Sequence, residues 1–181
     1  AVPGQYMVEL LAGGQNRTAL FTVVTDPRLT TSDEAFARQH KLHRALVDCV
    51  GRLHEGVNRI RRIRRQIGDL TGRATALPDG FGLSAKTLAD GLSAIEGVLV
   101  DVNRQSVRDV LRNPAGLNDT LADMINMVLI ADAAPTSQTE AVSQETMGRV
   151  DGELAKLEAL IGNELVALNG TVGQSAAYAI G

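Results

Sequence analysis

Five arginines within seven residues, Arg59, Arg61, Arg62, Arg64 and Arg65, are the densest chemistry-bearing cluster in the 181-residue sequence. Guanidinium groups at this spacing on a helix suit phosphate, on a nucleic acid or another anionic surface. The competing reading is a solvated helix face whose arginines pair with acidic neighbours. Ile60, Ile63 and Ile67 interleave at core spacing, the whole chain carries a formal charge of −3, and no aromatic stacking platform accompanies the run. These features favour the solvated face. Nucleic acid is not an expected partner, and the five arginines stand only as a candidate anion site.

His40, His43, Cys49 and His54 invite a metal reading. His40 and His43 are three apart and can share a helix face, but Cys49 and His54 fall on later turns. A metal needs three or four converging groups, so these read as surface or boundary residues. Cys49 lies on an apolar stripe and reads as a small buried hydrophobe rather than a nucleophile. Asp119, Asp123, Glu153 and Glu158 form no distinguished pair. A glycosidase pair would need a cleft with sugar-stacking aromatics, and these segments have neither Trp nor any Tyr before Tyr178. The glycine-rich AGGQN (12–16) is followed by a strand pattern and so is not a phosphate loop. Asn16-Arg17-Thr18, Asn118-Asp119-Thr120 and Asn169-Gly170-Thr171 match the glycosylation acceptor pattern, which is frequent by chance. The residues assign no catalytic group, no cofactor and no metal, and this chain is not expected to be an enzyme.

The element that must carry the arginines runs from Thr31 to Leu70. Thr31-Ser32-Asp33-Glu34 reads as a capping box, with Asp33 and Glu34 also favouring the positive end of the helix dipole. Phe36, Leu42, Leu46, Cys49, Val50, Leu53, Val57, Ile60, Ile63, Ile67 and Leu70 form one stripe at helical spacing. Gly51, Gly56 and Gly68 interrupt it at about 1 kcal/mol each, and close approach of a neighbouring helix is one reason for them.

Before this helix, residues 5–11 and 18–24 read as two strands of a hairpin, with Gly13 and Gly14 supplying positive φ in the turn. Tyr6, Val8 and Leu10 alternate with Met7 and Glu9, a half-buried pattern. Two strands alone are marginal in water, so the hairpin needs helices or further strands over it. After the long helix, 71–83 is a loop with Pro78-Asp79-Gly80 turn chemistry. A second helix, capped by Ser84, is expected to about Arg112, and Asn113-Pro114-Ala115-Gly116 breaks it. A third spans about Leu117 to Ala131. A fourth follows Thr136 or Ser137, with Glu140 completing a box from Ser137, and runs to about Leu168.

The fold class expected is mainly α. It is an antiparallel three- or four-helix bundle preceded by a β-hairpin, in which the second and third helices read equally well as one broken helix. The divisions are 1–26 (hairpin), 27–170 (helical bundle) and 171–181 (loose tail). Scarce aromatics, three Phe, two Tyr and no Trp, suit helix-on-helix packing. A single cysteine excludes an internal disulfide, and no apolar run is long enough for a membrane span. Charge is uneven. The segment 33–73 holds ten basic and five acidic residues, and 113–181 holds two basic and nine acidic. An acidic last helix beside a basic first one is self-complementary. The abrupt start at AVPGQY reads as a segment of a longer protein.

Residues 3–42, PGQYMVELLAGGQNRTALFTVVTDPRLTTSDEAFARQHKL, resemble the junction near the C-terminus of bacterial BNR/Asp-box repeat, sortilin-like β-propeller proteins, often labelled glycosyl hydrolases. Pro3-Gly4-Gln5-Tyr6 and Asp26-Pro27-Arg28 stand where that family has a PGTY-type strand and a DPR motif before a long helix. VNRIR (57–61), ADAAPT (131–136) and LVALN (165–169) are similar to its helical tail. Cys49, His40, His43 and LPDGFGL (77–83) depart from it. The resemblance implies a non-catalytic C-terminal accessory module: the hairpin closes an immunoglobulin-like sandwich, and the bundle docks on the upstream propeller and sandwich domains or self-associates. It also implies a secreted or periplasmic location. The alternative it carries is an intact, sialidase-like glycoside hydrolase with its active site upstream. No S-x-D-x-G-x-x-W-like repeat occurs here, so no hydrolase residue is assigned.

Overall fold

The computed structural model describes residues 2–73, 77–102 and 115–172. The chain is mainly helical, with a two-stranded antiparallel hairpin at its start. Strands β1 (Gly4–Ala12) and β2 (Gln15–Val23) are joined at Gly13-Gly14, whose φ values of 57° and 74° give the mirror-image turn that matches strand twist. The register places Tyr6 opposite Phe21, Met7 opposite Leu20 and Val8 opposite Ala19, and the Tyr6 and Phe21 rings stack at 5.7 Å.

The half-buried alternation expected of β1 is not what the structure has. Met7, Val8, Leu10, Leu11, Leu20 and Phe21 are all exposed, on both faces, because no described helix packs on the hairpin. Among the described residues the alternation has no core to face.

Residues 24–32 lead from the hairpin to the helices. The Asp26 carboxylate accepts from the Arg28 backbone amide at 2.9 Å and from its guanidinium at 2.6 Å, which holds the Asp26 carboxyl below the usual carboxylate range. The Leu29 amide closes the turn on the Asp26 carbonyl at 2.9 Å. Asp-Pro-Arg is thus a self-bonded corner.

Helix α1 spans Asp33–Arg73. Its cap is Ser32 and not Thr31: the Ser32 hydroxyl accepts from the Ala35 amide at 3.2 Å. Thr31 donates instead to the Asp132 carbonyl at 2.6 Å, and the expected capping box is replaced by a long-range tie. Leu46, Cys49, Leu53, Val57, Ile60, Ile63 and Ile67 are buried along α1. Of its interrupting glycines only Gly56 marks a close approach, since a Cβ there would lie 2.5 Å from Leu154 Cδ2, whereas Gly51 and Gly68 face open space.

Helix α2 (Phe81–Leu99) begins three residues before the expected Ser84 cap and has no side-chain cap. Gly80, at φ 79°, turns the chain sharply enough for Phe81 to enter the core at once. The helix ends far short of Arg112, with Val100 extended, and 103–114 lie outside the described residues. Helix α3 covers Leu117–Leu129, two residues short of the expected Ala131. Helix α4 (Ser137–Leu160) is capped by Thr136, whose hydroxyl accepts from the Thr139 amide at 3.1 Å. Glu140 completes no box there and pairs with Arg38 at 2.8 Å.

A π-helical turn, Ile161–Leu165, then leads into α5 (Val166–Val172), so 171–172 are helical where a loose tail was expected. Leu157, Ile161 and Leu165 are four apart, a spacing that drifts around an α-helix by about 40° per step. The wider π turn removes that drift and keeps all three buried with Leu168.

Helix α1 touches α2, α3 and α4, and α4 touches α2 and α3. Gln39 meets Val128 while His54 meets Asn118, so α3 runs against α1. Arg38 meets Glu140, Arg52 meets Asp151 and Arg59 meets Glu158, so α4 runs in the same sense as α1. The apolar side chains of all these helices form one buried cluster.

Candidate functional site

The arginine run occupies two turns of α1 beyond Gly56, and the structure divides it three ways. Arg59 reaches Glu158 on α4 at 2.6 Å. Arg61 donates through Nε to Glu96 Oε1 at 2.6 Å, and Arg64 through Nη1 to Glu96 Oε2 at 2.8 Å. Arg62 and Arg65 are exposed and have no ion pair among the described residues. The acidic last helix therefore takes one arginine of the five. Helix α2 takes two.

Glu96 is the residue that sequence reasoning missed. Its side chain is only 4% exposed, against 56% and 44% for Arg61 and Arg64, so one interior carboxylate spans two half-exposed guanidinium groups. The signal was present in the sequence. Glu96 lies four after Leu92 and three before Leu99, inside the α2 apolar stripe, where an acid requires a partner. Both oxygens are used, each accepting from a different guanidinium group.

The remaining α1–α4 pairs, Arg38–Glu140 and Arg52–Asp151, are half exposed. Their hydrogen bonds push both guanidinium groups further toward the charged form. Exposed pairs add little stability each, yet three in one order record which turn of α4 lies beside which turn of α1.

The histidines and cysteine separate. His54 Nε2 meets Asn118 Oδ1 at 2.8 Å, Cys49 is fully buried, and His40 and His43 line a shallow cleft with Phe36, Gln39, Arg44 and Leu129. Burial pushes the Cys49 thiol up. Among the described residues no three His, Cys, Asp or Glu side chains come close enough to hold a metal ion. None of the described helices is long and apolar enough to cross a membrane.

Beside that cleft, the buried Gln39 amide donates to the carbonyls of Val128 at 2.7 Å and Ala131 at 2.6 Å, satisfying the end of α3. Gln39→Leu is expected to cost about 1 kcal/mol by removing the donor to the Val128 carbonyl, since the Ala131 carbonyl keeps the Ala133 amide at 3.0 Å. Urea unfolding measures it, and an unchanged midpoint would show that the amide is replaceable.

The second candidate surface is the hairpin. Tyr6, Val8, Leu10, Ala19, Phe21 and Val23 share one face with Arg17 and Gln15 toward the turn, and Met7, Leu11 and Leu20 share the other with Gln5, Glu9, Asn16, Thr18 and Thr22. Leu11 is 74% exposed and Leu20 68%. With a two-residue turn, the Ala12–Gln15 pair and every second pair after it exchange both hydrogen bonds. The amides and carbonyls of Gln5, Met7, Glu9 and Leu11 then point outward along one edge, and those of Asn16, Thr18, Leu20 and Thr22 along the other. No proline or bulge blunts either edge.

Comparison with protein-family models, with curated proteins and with solved structures gives no match.

Proposed function

We propose that this chain is a non-catalytic accessory and interaction module, the C-terminal region of a BNR-repeat, sortilin-like β-propeller protein. Its hairpin completes an immunoglobulin-like sandwich carried by upstream domains of the same protein. The helices are read as a three-layer bundle: α1, then α2 and α3 as one broken helix returning along it, then α4 beside both. Such a bundle docks on the upstream domains or self-associates. Export from a bacterial cell follows from the same resemblance.

The observation that carries this reading is the hairpin itself. Among the described residues nothing covers its largely apolar face or either edge, although two strands alone are marginal in water. Away from the turn, where Arg17 and Gln15 lie, the side with Tyr6, Val8, Leu10, Ala19, Phe21 and Val23 has the composition of a sandwich interior, and the mixed opposite side that of an exterior.

The test is Val8→Lys together with Phe21→Lys. Chain 1–181 is expected to self-associate with rising concentration through the uncovered face, and the variant to sediment as a smaller species. The thermal midpoint of the helices is expected to shift by less than about 2 °C, since no described helix touches the hairpin. A large drop in that midpoint would make the hairpin part of the helical core. A chain that stays monomeric, and that has no affinity for β domains expressed from the preceding coding sequence, would end the reading.

A further inference from the structure

We propose that Arg61, Arg62, Arg64 and Arg65 form a preorganised docking rail for an acidic peptide segment of a partner protein, with Glu96 as its positioning residue. The inference does not depend on the propeller context.

Exposed arginines ordinarily lose much side-chain freedom on binding an anion, and this opposes association. Here that ordering is already done for two of them. Arg61 is held to Glu96 through Nε, which leaves both its Nη groups free to donate outward. Arg64 is held through Nη1, leaving Nε and Nη2. The anchor is 4% exposed, so it fixes the guanidinium groups from the interior side while their outer parts stay in water. Arg62 and Arg65, three residues apart on α1, stand beside them with no ion pair among the described residues. Four guanidinium groups against two carboxylates, Glu96 and the exposed Asp69 one turn beyond Arg65, leave a local excess of positive charge on a chain whose net charge is −3.

The dimensions select the partner. From Arg61 to Arg65 the rail rises about 6 Å along the helix, enough for two or three carboxylates and too short to track a nucleic-acid backbone. No Phe, Tyr or Trp lies in residues 37–80 to stack a base. Carboxylates fit the forked donors in pairs.

The probe is a fluorescein-labelled decamer of glutamate, titrated with the full chain at low salt and followed by anisotropy. Saturable binding is expected, at least tenfold weaker for Arg62→Ala/Arg65→Ala, a variant that removes no described contact and so keeps the fold. Glu96→Gln gives the deciding sign. Counting charges predicts tighter binding, because a negative group is lost, whereas a rail held by Glu96 predicts weaker binding, because the amide keeps one acceptor oxygen where two arginines need one each. Weaker binding by a folded Glu96→Gln chain supports the positioning role, and tighter binding overturns it. An absence of saturable binding, or an unchanged affinity for the double-alanine variant, overturns the rail. So does a single-stranded oligonucleotide that displaces the peptide at equal charge, or a dimer that the double-alanine variant dissolves, since the occupant would then be a nucleic acid or a second copy.

Discussion

Arg61→Ala/Arg64→Ala is expected to lose about 3 to 5 kcal/mol of folding stability, whereas Arg62→Ala/Arg65→Ala stays within about 0.5 kcal/mol. Both variants delete two arginines from the same two turns, so composition, helix propensity and net charge change equally. The difference is Glu96. With Arg61 and Arg64 gone, a carboxylate that is 4% exposed has lost both these donors, at 2.6 and 2.8 Å. The cost is the desolvation of a stranded charge more than the worth of two ion pairs. Adding Glu96→Leu to the first variant is therefore expected to recover most of the loss, because Leu88, Leu92, Ile95 and Leu99 already make that face of α2 apolar. Urea denaturation of the three proteins measures this. Equal midpoints for the two double variants would remove the structural role assigned to Glu96.

Gly116→Ala is expected to cost about 2 to 3 kcal/mol. The backbone at Gly116, φ −63° and ψ 162°, suits any residue, so conformational freedom is not the reason. Space is. A Cβ there would lie 2.8 Å from the Asp101 amide nitrogen, 2.9 Å from Val100 Cα and 3.0 Å from the Val100 carbonyl carbon. All three are main-chain atoms that cannot rotate away. Gly56 makes the contrast, because the atom closest to its Cβ is the far end of the Leu154 side chain, and Gly56→Ala is expected to cost about 1 kcal/mol or less after that side chain shifts. A Gly116→Ala protein that unfolds at the wild-type midpoint would mean that the exit of α2 and the start of α3 are not pressed together.

Much of the helical layout was legible because it rests on period and punctuation. The apolar stripe of α1 from Leu46 to Ile67 is buried as its spacing predicts, and the break between α2 and α3 contains Gly116 as read. What failed depended on partners distant in sequence. Thr31 and Glu140 have the residue types for local capping, but carbonyl and guanidinium groups about a hundred residues away take them instead. Ser84 lost the start of α2 to Gly80 because burying Phe81 outweighs a side-chain cap. The hairpin's alternation shows that one face can be buried, and nothing in a strand pattern shows whether a core is present. In the candidate site, the arginines were visible as a run. Their unequal roles were not, because local spacing does not say which turn faces α2 and which faces α4.

The corner where Thr31, Arg38 and Gln39 meet the α3–α4 joint has a mechanical meaning. The hairpin's only described connection to the helices is the segment that enters α1 here, through the self-bonded Asp26-Pro27-Arg28 turn. Tension on the hairpin therefore arrives first at the bond from Thr31 to Asp132, then at those from Arg38 to Glu140 and Gln39 to Val128 and Ala131. The load path leaves the N-terminal strands and passes straight to a joint about a hundred residues further along the chain. That corner is a riveted bracket between the strands and the helices.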